Sequence, residues 1–201
     1  MKTLKLLFVL GSLTYSLMTC QDNQDLITED HLTEMNSKTS KHVEVPFKSK
    51  LHTAQAEDAL TVICSATSPT DFWGLEHQVG DGSATHVGEF TIDLKFCFHV
   101  VLNQNGMPDF EGGFGEYSGD NEPIPLQSAN GDLLYISATS DGKLIPIQHE
   151  HYIFEFFDKW VITGGTGRFE NAYGEFTWHG LVRNDDTGTD HTWEGTIIFN
   201  K

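Results

Sequence analysis

Four glycines fall within the eleven residues from Gly164 to Gly174, and this segment constrains the fold more than any other. A phosphate-binding loop needs a strand before its glycines and a helix after them, so that backbone amides and the helix dipole face the anion. The run 151–162 before the glycines is strand-like, but the residues that follow are aromatic and β-prone. The segment therefore predicts a strand–turn–strand unit, in which glycine allows a bend or a close backbone approach.

Apolar and polar side chains alternate along most of the chain after residue 43, which is typical of strands with one buried face. The clearest run is 91–101, where one face carries Ile92, Leu94, Phe96, Phe98 and Val100. The run 151–162 is apolar on both sides, as expected of a strand that is covered on both faces.

Other segments complete an almost purely β pattern. Further strands are predicted within 43–47, 133–137, 174–183 and 192–200. A polar connection at 184–190 joins the last two as a hairpin. One short helical stretch is predicted at 54–60.

A four-residue sequence occurs twice, as Gly88-Glu89-Phe90-Thr91 and as Gly174-Glu175-Phe176-Thr177. Each copy follows glycines that we expect to form a turn, at 80–82 and at 164–167, and each leads into a predicted strand. Many short strands separated by glycine-rich turns predict an antiparallel barrel or sandwich.

The glycine-rich segments also resemble known families. Gly164, Gly165, Gly167, Phe169, Ala172 and Gly174 match the signature of dirigent proteins. The same segment is similar to allene oxide cyclases at Gly164, Gly165, Gly167, Phe169, Glu170, Tyr173 and Gly174. Residues 80–90 resemble a segment of bacterial proteins with the same barrel. The resemblance implies an all-β fold, an eight-stranded antiparallel barrel of the allene oxide cyclase/dirigent type, and a homo-trimer. Because the motifs are mostly glycines and aromatics, they imply no catalytic residue.

The N-terminus is typical of an export signal. Lys2 and Lys5 precede an apolar run at 6–13 that is too short to span a bilayer. Leu17-Met18-Thr19-Cys20 resembles the lipobox of bacterial lipoproteins, which implies cleavage before Cys20 and lipidation of that residue. The alternative is an ordinary signal peptide with an incidental cysteine.

These features divide the chain into a signal peptide at 1–19, an acidic flexible tether at 20–42 and one barrel domain at 43–201. The tether has few apolar residues and cannot bury enough surface to fold. Its acidic residues after Cys20 resemble a surface-export signal, although a solvated spacer explains them equally well. We expect an outer-membrane lipoprotein of the cell envelope, held to the membrane by its lipid anchor.

The net charge of −17 argues against nucleic acid and anionic lipid as partners, because both need a basic face. Neutral and cationic ligands are compatible with it. Besides Cys20, the chain has Cys64 and Cys97, both in strand-like runs. Export permits a disulfide between them, and burial as two small apolar side chains is the alternative.

Few residues suggest catalysis. His149 and His151 would share one face of a strand, but further ligands are missing, so we predict no metal and no cofactor. Glu155, between aromatic residues, would serve as an acid or a base if buried, and alternation favours an exposed side chain instead. The segment 106–132 would form a lid, an extra hairpin or, by preference, a solvated insertion. No nucleophile motif is present, so the catalytic residues are unknown and an enzyme is not favoured.

The function that these features favour is binding of a small apolar or aromatic molecule at the barrel mouth, since an eight-stranded barrel holds at most one small ligand. The predicted wall consists of Phe96, Phe98, Tyr152, Phe154 and Phe156. Two alternatives remain open. One is an isomerase or cyclase that steers an apolar intermediate, by analogy of fold. The other is a structural or adhesive module at the cell surface.

Overall fold

The computed structural model describes residues 42–119 and 122–200, and the signal peptide, Cys20 and nearly all of the tether lie outside them. The described residues form twelve strands and one turn of 3-10 helix at Gly167–Phe169. The strands are β1 (His42–Gln55), β2 (Ile63–Ser68), β3 (Asp71–Ala84), β4 (Gly88–Val101), β5 (Glu116–Tyr117), β6 (Ile124–Ser128), β7 (Leu133–Ala138), β8 (Gly142–Lys143), β9 (Ile145–Pro146), β10 (Tyr152–Gly165), β11 (Tyr173–Arg183) and β12 (Thr189–Asn200). In these ranges no helix has the length and apolar character needed to cross a membrane.

Eight of the strands close into a ring. Every neighbouring pair is antiparallel, in the order β1, β12, β11, β10, β7, β6, β4, β3 and back to β1. The alternation of side chains places one face of each strand inside the ring. The predicted eight-stranded antiparallel barrel is therefore confirmed.

The remaining strands extend the wall at one end. There β5 pairs with β4 and β8, β9 pairs with β10, and β2 pairs with β3. The segment 106–132 supplies β5 and the wall strand β6, so the preferred prediction of a solvated insertion is wrong. We call this end, which also carries the turn at 184–188, the open end.

The glycine-rich segment closes the opposite end, which we call the closed end. Strand β10 ends at Gly165, the backbone turns through Gly167–Phe169, and β11 begins at Tyr173. Phe169 is fully buried, and the Nη2 of Arg168 donates a 2.7 Å hydrogen bond to the carbonyl of Val87, itself a buried turn residue. Gly167 has a φ of +56°, a value that favours glycine. The predicted strand–turn–strand unit is confirmed, and it also plugs the barrel.

A cluster of aromatic rings fills the barrel next to this plug. Trp193 is completely buried at its centre, with ring centroids 4.7–6.0 Å from those of Phe47, Phe90, Phe176 and Trp178. Phe90 and Phe176 are the matching positions of the repeated four-residue sequence. Both copies of the sequence therefore bring a phenylalanine against the same tryptophan.

Three local predictions are wrong. Gly80 and Gly82 lie within β3 and not in a turn. Glycine is needed at both positions because β1 packs so closely that a Cβ atom would collide with it at His52 and Leu51. The turn itself occupies 85–87. The predicted helix at 54–60 is the end of β1 followed by turns. The outer face of β10 is not covered, since Phe157 is 55% exposed.

A disulfide joins Cys64 on β2 to Cys97 on β4, with a Cα–Cα distance of 6.3 Å. Strand β2 is exposed along nearly all of its length, and among the described residues it pairs only with β3. The disulfide therefore provides the strongest link between β2 and the barrel wall.

Candidate functional site

A cavity of about 260 Å³ lies inside the barrel between the aromatic cluster and the open end. Leu94, Phe96, Ile124, Trp160 and Trp178 belong to its largely apolar lining. Three other lining residues, Gln55, Leu60 and Ser140, are exposed and therefore mark its mouth. One half of the barrel interior is thus packed with side chains and the other half is hollow.

Four of the five residues predicted as a ligand wall line this cavity: Phe96, Phe98, Phe154 and Phe156. Tyr152 does not line it. A β-bulge between Tyr152 and Phe154 interrupts the alternation, and the Tyr152 hydroxyl donates a 2.9 Å hydrogen bond to Asp190 outside the cavity. The bulge is a feature of strand pairing that the local sequence does not indicate.

One side of the cavity carries a directed chain of hydrogen bonds. The Trp178 indole only donates, so it makes Nδ1 of His191 an acceptor at 2.7 Å. The neutral imidazole then carries its proton on Nε2 and donates to the Thr53 hydroxyl at 2.8 Å. Thr53 donates to Oε1 of Gln78 at 2.8 Å, and the Gln78 amide donates to Glu76 at 3.3 Å.

This chain keeps two titratable groups inside the barrel wall. Burial lowers the pKa of His191 to about 3, and the neighbouring His52 contributes in the same direction. Glu76 is only 7% exposed, and burial raises its pKa, while donors on Gln55 and Gln78 oppose that rise. His191 is therefore neutral at physiological pH and serves as a fixed donor and acceptor.

The buried His191 makes stability pH-dependent. As the pH falls below about 6.5, the unfolded chain binds a proton that the folded imidazole does not take up until about pH 3. We expect the free energy of unfolding to fall with pH across this window, by about 1.4 kcal/mol per pH unit from this group. Glu76 acts oppositely, because its raised pKa lets the folded state bind a proton first.

A variant of His191 distinguishes its contribution to the pH dependence of stability from that of Glu76. His191→Gln keeps one donor and one acceptor but does not titrate, so between roughly pH 6 and pH 4 its unfolding free energy is expected to depend less steeply on pH than that of the wild type. Urea denaturation at several pH values measures both slopes. Equal slopes would show that His191 is not held neutral by burial.

Asp158 on β10 is a further polar residue that lines the cavity, and its partner is Tyr117 on β5. The Tyr117 hydroxyl lies 2.8 and 3.0 Å from the two carboxylate oxygens of Asp158. Burial raises the pKa of Asp158, and the hydrogen bond from Tyr117 partly offsets this. Burial and the adjacent carboxylate also raise the pKa of Tyr117. The Tyr117 ring packs between Phe96 and Phe156, with centroid distances of 5.7 Å to each.

Sequence reasoning missed Asp158, Glu76 and His191. Asp158 lies two residues from both Phe156 and Trp160, so the period of two in a strand places it on the same inward face as these side chains and Phe154. The side chain of Glu155 lies on the outer face, as alternation predicts, with a carboxylate oxygen 3.4 Å from Nε2 of His179.

The candidate histidine pair is not on a strand. His149 and His151 precede the regular part of β10, are both exposed, and have ring centroids 6.0 Å apart. Within 42–119 and 122–200, no three His, Cys, Asp or Glu side chains are grouped so that they could hold a metal ion.

No family model matches the sequence, and no curated protein matches it. Among solved structures, the chain is similar to the pterocarpan synthase dirigent protein GePTS1, with 13% sequence identity and a TM-score of 0.42. The alignment covers 87% of this chain and 98% of that chain. The likeness to allene oxide cyclases stays a prediction.

Proposed function

We propose that the barrel binds a small apolar or aromatic molecule in its cavity. The observation that carries this proposal is the hollow half of the barrel, lined by the rings of Phe96, Phe98, Phe154 and Phe156. Protein interiors are normally packed as densely as organic crystals, and voids larger than a water molecule are few. A cavity of about 150 Å³ is enough for benzene, so about 260 Å³ suits a ligand of one or two rings.

Fluorescence tests this proposal, because Trp160 and Trp178 line the cavity. Titration of the purified protein with 1-naphthalenemethanol is expected to change tryptophan fluorescence in a saturable manner. Ala138→Phe places a ring in the cavity and is expected to weaken binding at least tenfold, since the ring occupies the ligand's volume. Ala66→Phe on the exposed β2 is the matched control and should bind normally.

Two results would contradict the proposal. One is the absence of saturable binding across a panel of one-ring and two-ring compounds. The other is equal affinity of the wild type and Ala138→Phe, because the probe would then bind elsewhere, for example at the exposed Phe157 and Ile153.

A second candidate function is an isomerase or cyclase that steers an apolar intermediate. The observation that favours it is the pair of carboxyl groups, Asp158 and Glu76, in a largely apolar cavity, since burial of this kind tunes acids for proton transfer. Chiral chromatography of the products of a spontaneously cyclising apolar epoxide would test it. A protein-dependent product ratio that Asp158→Asn abolishes supports catalysis, and an unchanged ratio opposes it.

We also propose that the protein is an exported bacterial lipoprotein of the outer membrane, anchored through Cys20, and that it assembles as a homo-trimer. The lipobox-like Leu17-Met18-Thr19-Cys20 supports the anchor. The exposed Ile153 and Phe157 on β10 are suitable for contact between copies. Mass spectrometry of the wild type and Cys20→Ser tests the anchor, and light scattering of Cys20→Ser tests the trimer.

A further inference from the structure

The charged side chains that line the cavity are of one sign, negative. Glu76 and Asp158 contribute carboxyl groups, whereas no lysine or arginine is among the lining residues within the described ranges. His191, the histidine among the described lining residues, is neutral and already donates and accepts within the hydrogen-bond chain. A carboxylate or phosphate on a ligand would therefore lack a cation to pair with, and its burial would be costly.

The two carboxyl groups differ in how well they are satisfied. Glu76 accepts hydrogen bonds from the amides of both Gln55 and Gln78. Asp158 has a single donor among the described residues, the Tyr117 hydroxyl, which is shared between its two oxygens. An ionised carboxylate accepts about four hydrogen bonds, so Asp158 retains most of its accepting capacity.

The surroundings of Asp158 suit a cation that carries an apolar group. Phe96 and Phe156 both pack against the ring of Tyr117, whose hydroxyl donates a hydrogen bond to Asp158. Aromatic faces attract an ammonium ion, and the attraction increases when water is excluded. The net charge of −17 favours the approach of cations over anions.

We propose that Asp158 binds the ammonium group of a small amine whose apolar or aromatic part fills the ring-lined cavity. This deepens the proposed function and rests on it. The hydrophobic cavity provides affinity for the body of the ligand, and the carboxylate selects its charge. A buried ammonium needs such a partner, because an unpaired charge in an apolar site is strongly unfavourable.

Three probes with the same naphthalene body test the proposal: 1-naphthylmethylamine, 1-naphthalenemethanol and 1-naphthoate. At neutral pH the amine is expected to bind the wild type roughly tenfold or more tightly than the alcohol, because a charge-assisted hydrogen bond is stronger than a neutral one. The naphthoate should show no saturable binding. This comparison uses the wild type alone and does not depend on the folding of any variant.

Variants then identify the residue that causes the preference for the amine over the alcohol. Asp158→Asn is expected to reduce the affinity for the amine about tenfold while changing that for the alcohol less than about twofold. Glu155→Gln removes a carboxylate from the outer face of the same strand and is the matched control, with no expected change.

The outcomes separate the two proposals. If none of the three probes binds, the proposed function fails and the amine assignment fails with it. If the alcohol binds as tightly as the amine, the cavity binds neutral ligands and only the amine assignment is overturned. Retention of the full amine preference in Asp158→Asn would overturn the role of Asp158.

Discussion

Replacement of Trp193 by alanine is expected to lower the free energy of unfolding by about 3–5 kcal/mol, the usual cost of removing a large buried aromatic side chain. Trp193 is completely buried, and four aromatic rings surround it in the packed half of the barrel. The rings come from β1, β4 and β11, so their positions depend on strand pairing around the ring. The void left behind cannot collapse without moving these strands.

Trp193→Phe is the informative control. It keeps an aromatic ring at the centre and removes the indole N–H, which is buried without a hydrogen-bond partner among the described residues. Relief of that unsatisfied donor offsets part of the lost packing, so we expect less than half the loss seen for alanine. Urea denaturation measures both variants. A loss below about 1.5 kcal/mol for Trp193→Ala would contradict the assignment of this ring as the centre of the core.

Removal of the Cys64–Cys97 disulfide is expected to cost about 3–4 kcal/mol of stability. The two cysteines are separated by 33 residues, and a cross-link across a loop of that size restricts the unfolded chain by about this amount. Because β2 is mostly exposed and pairs only with β3, loss of the disulfide should also release this strand locally. Strand β2 can open locally at low cost, because its opening exposes little apolar surface that is buried in the folded state.

Cys64→Ser/Cys97→Ser tests both effects, and reduction of the wild type with dithiothreitol is the matched comparison. Denaturation measures the global change, and hydrogen exchange measures opening of Ile63–Ser68. We expect exchange in β2 to accelerate through local opening, whereas exchange in β12, which pairs with strands on both sides, accelerates only by the global loss of stability. Less than about 1 kcal/mol of lost stability would contradict the prediction.

The architecture of this chain was accessible from local patterns. Alternation along 91–101 predicted β4, because a strand with one buried face must alternate, and the run 151–162, apolar on both sides, predicted β10. The glycines at 164–167 predicted a turn. The glycines at 80–82 did not form the predicted turn, since a glycine that permits close strand crossing and a glycine that permits a bend look alike in sequence.

The site was less predictable. Alternation is enough to place Phe154 and Phe156 inside the barrel, and the same alternation extends to Asp158, which the predicted site did not include. The β-bulge that moves Tyr152 out of the lining depends on the register against β11. The cavity itself depends on side chains from nine strands that together leave a volume unfilled. No single stretch of sequence carries that information.

A crystal structure of the protein with 1-naphthalenemethanol tests the central claim most directly. We predict that the naphthalene lies inside the barrel between Phe156 and Trp178, in contact with Phe96, and leaves the packed cluster around Trp193 unchanged. Probe bound only at the outer surface, or a barrel whose side chains fill the cavity and leave no room for it, would contradict the claim that this barrel is built to hold a small apolar ligand.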